Sequence, residues 1–410
     1  MESCKIADRY WSCREAMNQQ LLQNIDLSRE ISDEEMQDLI DDMVIEDGRK
    51  YGLTLLERQQ LAKELFYAIR RLDILQELIE DEEVTEIMVN GTGGIFIEKR
   101  GHVLPWEKQF VSKEKLEDVI QQIVSKCNRV VNEASPIVDA RLENGARVNV
   151  VLAPVALNGP IVTIRKFPGQ PIGMEDLIAY DSLTIEAAEF LQRLVIAGYN
   201  IMVSGGTGSG KTTFLNALSQ YIPKTERIIT IEDSAELQLQ GVENLVKLET
   251  RNANAEGTRE ISIRDLIKTS LRMRPDRIIV GEVRGGEAFD MLQALNTGHD
   301  GSLSTGHANS AKDMLSRLET MALMGMELPL PAIRRQIASG VDIIVHLGRL
   351  RDKSRRVLEI TEVVGMEQNE IVIQPLYCFQ ETGISEGRIQ GFLQKENELI
   401  HGEKLRAAGL

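Results

Sequence analysis

Gly205-Gly206-Thr207-Gly208-Ser209-Gly210-Lys211-Thr212-Thr213 follows the apolar run Tyr199-Asn200-Ile201-Met202-Val203 and precedes Phe214-Leu215-Asn216-Ala217-Leu218. The first flank predicts a strand and the second a helix. A glycine, four residues and then Gly-Lys-Thr between strand and helix is a phosphate-binding loop with its context in place. Glycines at Gly206, Gly208 and Gly210 let backbone N–H groups turn inward around phosphate oxygens, together with those of Thr207, Ser209 and Thr213. The new helix points its positive end at the same anion. Lys211 adds a movable charge for the β- and γ-phosphates, and the Thr212 hydroxyl is placed to ligate Mg²⁺. The stretch therefore predicts a nucleoside-triphosphate site.

Moving outward, the chain of 410 residues is long enough for two or three domains. Its formal net charge of −16 argues against a protein that coats nucleic acid, which needs a basic surface. Cys4, Cys13, Cys127 and Cys378 lie far apart, without metal-ligand spacing, so reduced thiols are expected and zinc is not. The start, Met1 to Tyr10, is polar and charged, and no run of eighteen apolar residues occurs. A soluble, cytoplasmic chain is the expectation.

Residues 1–80 read as a helical module with one apolar face at Leu61, Leu65, Ala68, Leu72, Leu75 and Ile79. An acidic run, Asp26 to Asp47, reads as a solvated face or as a docking surface for a basic partner, with a hinge at Asp47-Gly48. Residues 81–167 predict an α+β domain. Val84 to Gly91 enters a turn and Gly94 to Glu98 returns from it; a helix follows from Lys113 to Cys127, then strands at 140–142, 146–152 and 160–167. Residues 168–183, with Pro168-Gly169-Gln170-Pro171, read as a linker. Residues 184–380 alternate helical and strand-like runs, which predicts a mostly parallel α/β sheet, and 381–410 read as a polar tail.

Three clusters follow predicted strands, where open α/β sheets bind their ligands. In Ile231-Glu232-Asp233-Ser234-Ala235-Glu236-Leu237, Glu232 or Glu236 is placed to orient water or hold the Mg²⁺ shell; the competing reading is a helix start capped by Asp233 or Ser234. In Ile278-Ile279-Val280-Gly281-Glu282-Val283-Arg284, Glu282 is the water-polarising or Mg²⁺-supporting acid, although Gly281 stands where an Asp is usual; an ion pair to Arg284 competes. In the third, His299 and His307 suit a γ-phosphate sensor, against an ordinary structural role. Arg141, Arg147 and Arg165 fall in the preceding domain, and Arg272 and Arg274 in the nucleotide domain. An arginine brought to a γ-phosphate accelerates transfer by about 10³ to 10⁵.

In this order the four clusters resemble the secretion ATPases of type II and type IV machines, and within them the CpaF branch that drives Tad (Flp-type) pilus assembly. The matching stretches are Gly205–Thr212, the Asp box Ile231–Leu237, the atypical Walker B stretch Leu271–Arg284 and the His box Gly298–Ala308. Upstream, Val84–Gly91 and Asp139–Asn149 look like the N-terminal domain of that branch. The resemblance implies a RecA-like P-loop domain preceded by a PAS-like α+β domain, in a homohexameric ring with ATP and Mg²⁺ between the two domains. It implies Arg141 and Arg147 at the γ-phosphate, with Arg165 and Arg274 near the nucleotide. Glu282 is then the Walker B glutamate, Glu232 and Glu236 the Asp-box acids, and His307 the sensor; Thr212, Glu232 and Glu282 serve Mg²⁺. The implied partners are inner-membrane platform proteins at the inner face of the cell membrane, with no nucleic acid. The tetracysteine module of the pilus-extension and type II branch is absent. A type IV secretion or DNA-translocating ring and a slowly hydrolysing ATP-gated scaffold are the alternatives.

Overall fold

The computed structural model describes residues 2–24, 31–99, 101–127, 129–167, 171–251 and 260–410. The chain divides after Gly169 into two compact units.

The first unit opens with four helices: α1 (Glu2–Asn24), α2 (Asp33–Lys50), α3 (Leu55–Arg70) and α4 (Leu75–Glu80). Ser32 with Glu35 and Thr54 with Glu57 form capping boxes that fix the starts of α2 and α3. Met36, Ile40 and Val44 line one side of α2 and pack with Leu61 and Leu65 of α3 and with Met17 and Leu21 of α1. The expected hinge at Asp47-Gly48 is not there. Helix α2 runs through both residues, and a Cβ on the buried Gly48 would lie 2.9 Å from the Arg58 side chain, so glycine serves close packing. The predicted apolar face is also split: α3 ends at Arg70, and Leu72 and Leu75 join the core of the following sheet. Of the acidic run, residues 25–30 lie outside the described residues; Glu34, Asp38, Asp41, Asp42 and Glu46 are exposed.

A six-stranded antiparallel sheet follows, built from β1 (Val84–Asn90), β2 (Ile95–Lys99), β3 (His102–Trp106), β4 (Ile137–Arg141), β5 (Arg147–Val151) and β6 (Ile161–Arg165). Its order is β3-β2-β1-β6-β5-β4. Alternate residues such as Ile87, Val89, Val148, Val150, Val162 and Ile164 are buried together with Leu116, Ile120 and Ile123 of α5 (Lys113–Lys126). Strand β3 carries Pro105 and lies at the sheet edge, where a missing N–H is tolerated. Buried Arg14 of α1 lies 3.3 Å from Glu64 of α3 and 3.1 Å from Asp73, while Lys108, beyond β3, reaches Glu64 at 3.0 Å and Glu77 at 2.7 Å. These pairs fasten the helices to the sheet.

The second unit begins with α6 (Met174–Ala179), inside the stretch read as linker, and α7 (Ile185–Ile196). The alternation then runs β7 (Ile201–Gly205), α8 (Lys211–Ser219), β8 (Arg227–Glu232), β9 (Asn244–Glu249), α9 (Ile263–Ser270), β10 (Arg277–Val283), α10 (Glu287–Leu295), β11 (Leu303–His307), α11 (Ala311–Gly325), α12 (Leu330–Gly340) and β12 (Ile343–Arg349). Strands β13 (Arg355–Glu367), β14 (Glu370–Ser385) and β15 (Arg388–Lys395) and the short α13 (Glu403–Ala407) complete it. The sheet order is β15-β14-β13-β12-β7-β11-β10-β8-β9. Strands β12 through β9 in that order pair in parallel and β12 through β15 antiparallel. Helices cover both faces of the parallel part, so β7 is buried along its whole length. Residues read as a polar tail hold the end of β14, all of β15 and α13. Lys404 there donates to the Gly198 carbonyl at 3.1 Å and to Asp300 and Asp342 at 2.8 Å.

Candidate nucleotide site

Strands β7, β8, β10 and β11 run in the same direction, so their carboxyl ends share one rim of the sheet. The phosphate loop leaves that rim from β7. A Cβ on Gly205 would stand 2.5 Å from the Leu347 carbonyl oxygen on β12, so only glycine lets the loop pass that strand. Gly210 caps α8 at φ 93°, in the left-handed region. Thr212 and Thr213 follow Lys211 in the first turn of that helix.

Lys211 is buried, and its ammonium donates to the Gly206 carbonyl at 3.1 Å and to His307 Nδ1 at 3.2 Å. A lysine only donates, so Nδ1 accepts and the ring proton belongs at Nε2. That nitrogen lies 2.7 Å from Glu282 Oε1. The other Glu282 oxygen accepts from Arg284 Nε at 2.8 Å and Nη2 at 2.7 Å. Lys211 of α8, His307 of β11 and Glu282 of β10, with Arg284 beyond it, thus form one polar chain. The competing reading of Glu282, an ion pair to Arg284, is present in the structure. Burial lowers the Lys211 pKa, opposed by the nearby Glu282. His307 is lowered by burial and then by Lys211, which keeps the imidazole neutral around pH 7.

The segment after β8 is an irregular loop and not a capped helix, so the helix-start reading of Asp233 and Ser234 is corrected. Glu236 of this loop brings Oε2 to 3.5 Å from the Thr212 hydroxyl. Glu232 is only 3% exposed, with Oε1 accepting the N–H groups of Glu236 at 2.8 Å and Leu237 at 2.9 Å. Its Oε2 is buried without a partner, and burial pushes the pKa up to about 7. Oε1 is thus engaged by the loop backbone, and Oε2 lies buried beside it.

The paired roles of the histidines are corrected too. His299 precedes β11 and bonds the Ala294 carbonyl at 3.1 Å, whereas His307 ends the strand. Only His307 reaches the phosphate rim. Arg272 and Arg274 precede β10, whose seven residues span about 20 Å, so both sit at the opposite end of the strands from the loop. Within one chain, Arg274 is not a phosphate contact.

In the first unit, Arg141 on β4 lies directly opposite Arg147 on β5, which lies opposite Arg165 on β6. Directly paired residues share a face, and like charges side by side repel. Glu86 and then Glu98 continue the row across β1 and β2. The row across the sheet therefore holds three arginines followed by two glutamates.

Two further cations border the loop and were not legible in the sequence. Arg355, the first residue of β13, donates from Nε to the Gly208 carbonyl at 2.8 Å. Arg317 of α11 lines, with Gly206, Thr207, His307 and Asn309, an open cleft of about 600 Å³. The only advance signal was the basic character of Arg349 to Arg356.

Among the described residues no group of three or more His, Cys, Asp or Glu is arranged to hold a metal alone. One hydroxyl and one or two carboxylates suit Mg²⁺, which takes its remaining oxygens from phosphates and water. The Thr212–Glu236 pair has that character.

Residues 70–396 match the family described as Type II/IV secretion system protein. The chain is 41% identical over 263 residues to an uncharacterised protein of Methanocaldococcus jannaschii, covering 62% of this chain and 36% of that one. It is 34% identical over 316 residues to the type IV secretion system protein PtlH of Bordetella pertussis, covering 70% of this chain and 93% of that one. The solved structure of the Legionella pneumophila ATPase DotB shares the fold, with a TM-score of 0.51 at 20% identity over 72% of this chain and 80% of that one. A phosphate loop, the three clusters that follow it and a family match across most of the chain agree: this protein belongs to the Type II/IV secretion system protein family.

Proposed function

We propose that the chain is an ATP-hydrolysing subunit of a homohexameric ring that powers Tad/Flp-type pilus assembly through inner-membrane platform proteins. The observation that carries the hydrolytic reading is the Lys211–His307–Glu282 chain beside the phosphate loop. Backbone N–H groups from Gly206 to Lys211 receive the phosphates, while Thr212 and Glu236 hold Mg²⁺, which supplies charge neutralisation at the transferring group. Lys211 turns from His307 to the phosphate chain when a nucleotide enters. Glu282 orients the attacking water, and His307 reports the γ-phosphate to Glu282.

Arg141, Arg147 and Arg165 are the partners proposed for the phosphates from the first unit; their alignment in one row supports this. Closure of the units on ATP does work only if ATP binds the closed state more tightly. Moving a population from 1:99 to 99:1 takes about 5.5 kcal/mol of that preference. Among the described residues no helix is long and apolar enough to cross a membrane; attachment to the inner face of the membrane through partners is part of the proposal.

The likeness to PtlH favours a second reading, a motor of type IV secretion. The net charge of −16 speaks against a DNA-translocating ring. The first test is phosphate release by the purified protein. Lys211→Ala and Glu282→Gln should each abolish it, and unchanged release would leave an ATP-gated scaffold. Deleting the gene and scoring surface pili against export of other proteins separates the pilus reading from the secretion one.

A further inference from the structure

We infer that Glu232 is a positioning residue: a buried carboxyl that crosses the space left open by Gly281 and fixes where Glu236 stands relative to Thr212. This rests on the reading of the rim as a Mg²⁺-nucleotide site. Strands β8 and β10 pair Ile231 with Val280, so Glu232 and Gly281 are neighbours one residue further on. A Cβ on Gly281 would lie 2.8 Å from Glu232 Cγ and 3.3 Å from Oε1. The missing side chain of the second nucleotide motif is therefore the condition for the Glu232 side chain to lie where it does.

From there Oε1 accepts two successive N–H groups, those of Glu236 and Leu237, and so ties the loop back on the strand it leaves. Leu237 is 2% exposed and anchors the loop in the core, and Asn216 of α8 accepts the next N–H, of Gln238, at 3.0 Å. Three adjacent amides are thus fixed by two side chains. What the loop projects is Glu236, whose carboxylate reaches the Thr212 hydroxyl. Glu232 acts on the metal through Glu236 and touches neither the ion nor the nucleotide.

The test measures ADP affinity with Mg²⁺ and with EDTA, and amide hydrogen exchange over residues 233–238, in the full chain. Glu232→Gln keeps an oxygen for both N–H groups, so its Mg²⁺-dependent affinity and its exchange protection should stay within twofold of the parent. Glu232→Ala and Gly281→Ala should lose exchange protection and at least about tenfold in Mg²⁺-dependent affinity, the cost of removing a residue that orients a metal ligand. Their affinity in EDTA should change less than threefold, which shows that they fold. If Glu232→Gln loses as much Mg²⁺-dependent affinity as Glu236→Gln, Glu232 is itself a ligand and the inference is overturned. Retained exchange protection in Glu232→Ala overturns it as well. Failure of the parent to bind Mg²⁺-nucleotide would sink the nucleotide reading, while the exchange comparison still decides the role of Glu232 in the loop.

Discussion

Lys211 and His307, 96 residues apart in the chain, stand 3.2 Å apart from Nζ to Nδ1. Parallel pairing of β7 with β11 sets Gly205 opposite His307, and the phosphate loop then carries Lys211 back over the strand end. The imidazole stands between the Lys211 ammonium and the Glu282 carboxylate, one ring nitrogen toward each. Four consequences of this arrangement and its surroundings can be measured.

The two adjacent glycines that open the loop should respond differently to substitution. A methyl on Gly205 meets the Leu347 carbonyl at 2.5 Å and the Ser209 hydroxyl at 2.6 Å, whereas nothing lies within 4 Å of one on Gly206. Gly205→Ala should cost about 1–3 kcal/mol in urea unfolding, the range for overpacking. Gly206→Ala should stay within about 0.5 kcal/mol. Equal stabilities would contradict the close approach of β12 to the loop.

Arg355 should matter for binding more than for turnover. Its bond to the Gly208 carbonyl holds a cation beside the phosphate loop from a strand that carries none of the recognised motifs. Because the residue is exposed, Arg355→Ala should weaken ADP binding by about 1 kcal/mol, near fivefold, with a smaller change in kcat. Calorimetric titration at two salt concentrations checks this, since the loss should shrink as salt rises.

His346 should contribute a loss of stability on mild acidification, opposite in sign to the contribution of Glu232, whose carboxyl is raised by burial. His346 Nδ1 lies 2.9 Å from the Ser204 hydroxyl at the root of the phosphate loop. Burial lowers its pKa below the ordinary 6.5, although Glu359, Asp313 and the Asn309 backbone pull the other way. The unfolded chain therefore takes up a proton at this site before the folded one does, and the stability this site contributes drops as the pH falls below about 6.5. His346→Gln should flatten that part of the melting-temperature profile; an unchanged slope would exclude the residue as its source.

Removing Arg14 should damage the first unit severely. Arg14 is 6% exposed, and its guanidinium pairs with Glu64 and Asp73, which are 9% and 5% exposed. Arg14→Met leaves buried carboxylates with less compensation and should cost about 3–5 kcal/mol. Denaturant unfolding of the full chain, followed by exchange over residues 55–80, would show whether the loss stays in this unit.

What could be read from the sequence was what depends on neighbours along the chain. Period-two and period-four apolar spacing marked most strands and helices, such as β5 with Val148 and Val150 and α7 behind its Thr184 cap. Glycine spacing with one lysine and one threonine marked the phosphate loop, because backbone conformation there is dictated by residue type. Strand β3, α6 and β15 escaped notice: each is short or polar, and their place is set by pairing or docking.

Side-chain roles divided along the same line. The sequence by itself determined that Glu232, Glu236, Glu282 and His307 stand at or just beyond strand ends, and so are candidates for one rim. Only the tertiary structure decided that His307 reaches Lys211 while His299 belongs to the other end of β11, and that Arg274 lies a strand's length from the rim that carries the phosphate loop. It also decided that Glu232 is enclosed and Glu236 projects, since burial depends on Gly281, which lies far along the chain and beside Glu232 in the sheet. Local conformation follows from covalent neighbours; the chemistry of a carboxylate follows from what surrounds it, and that is fixed only when the strands pair.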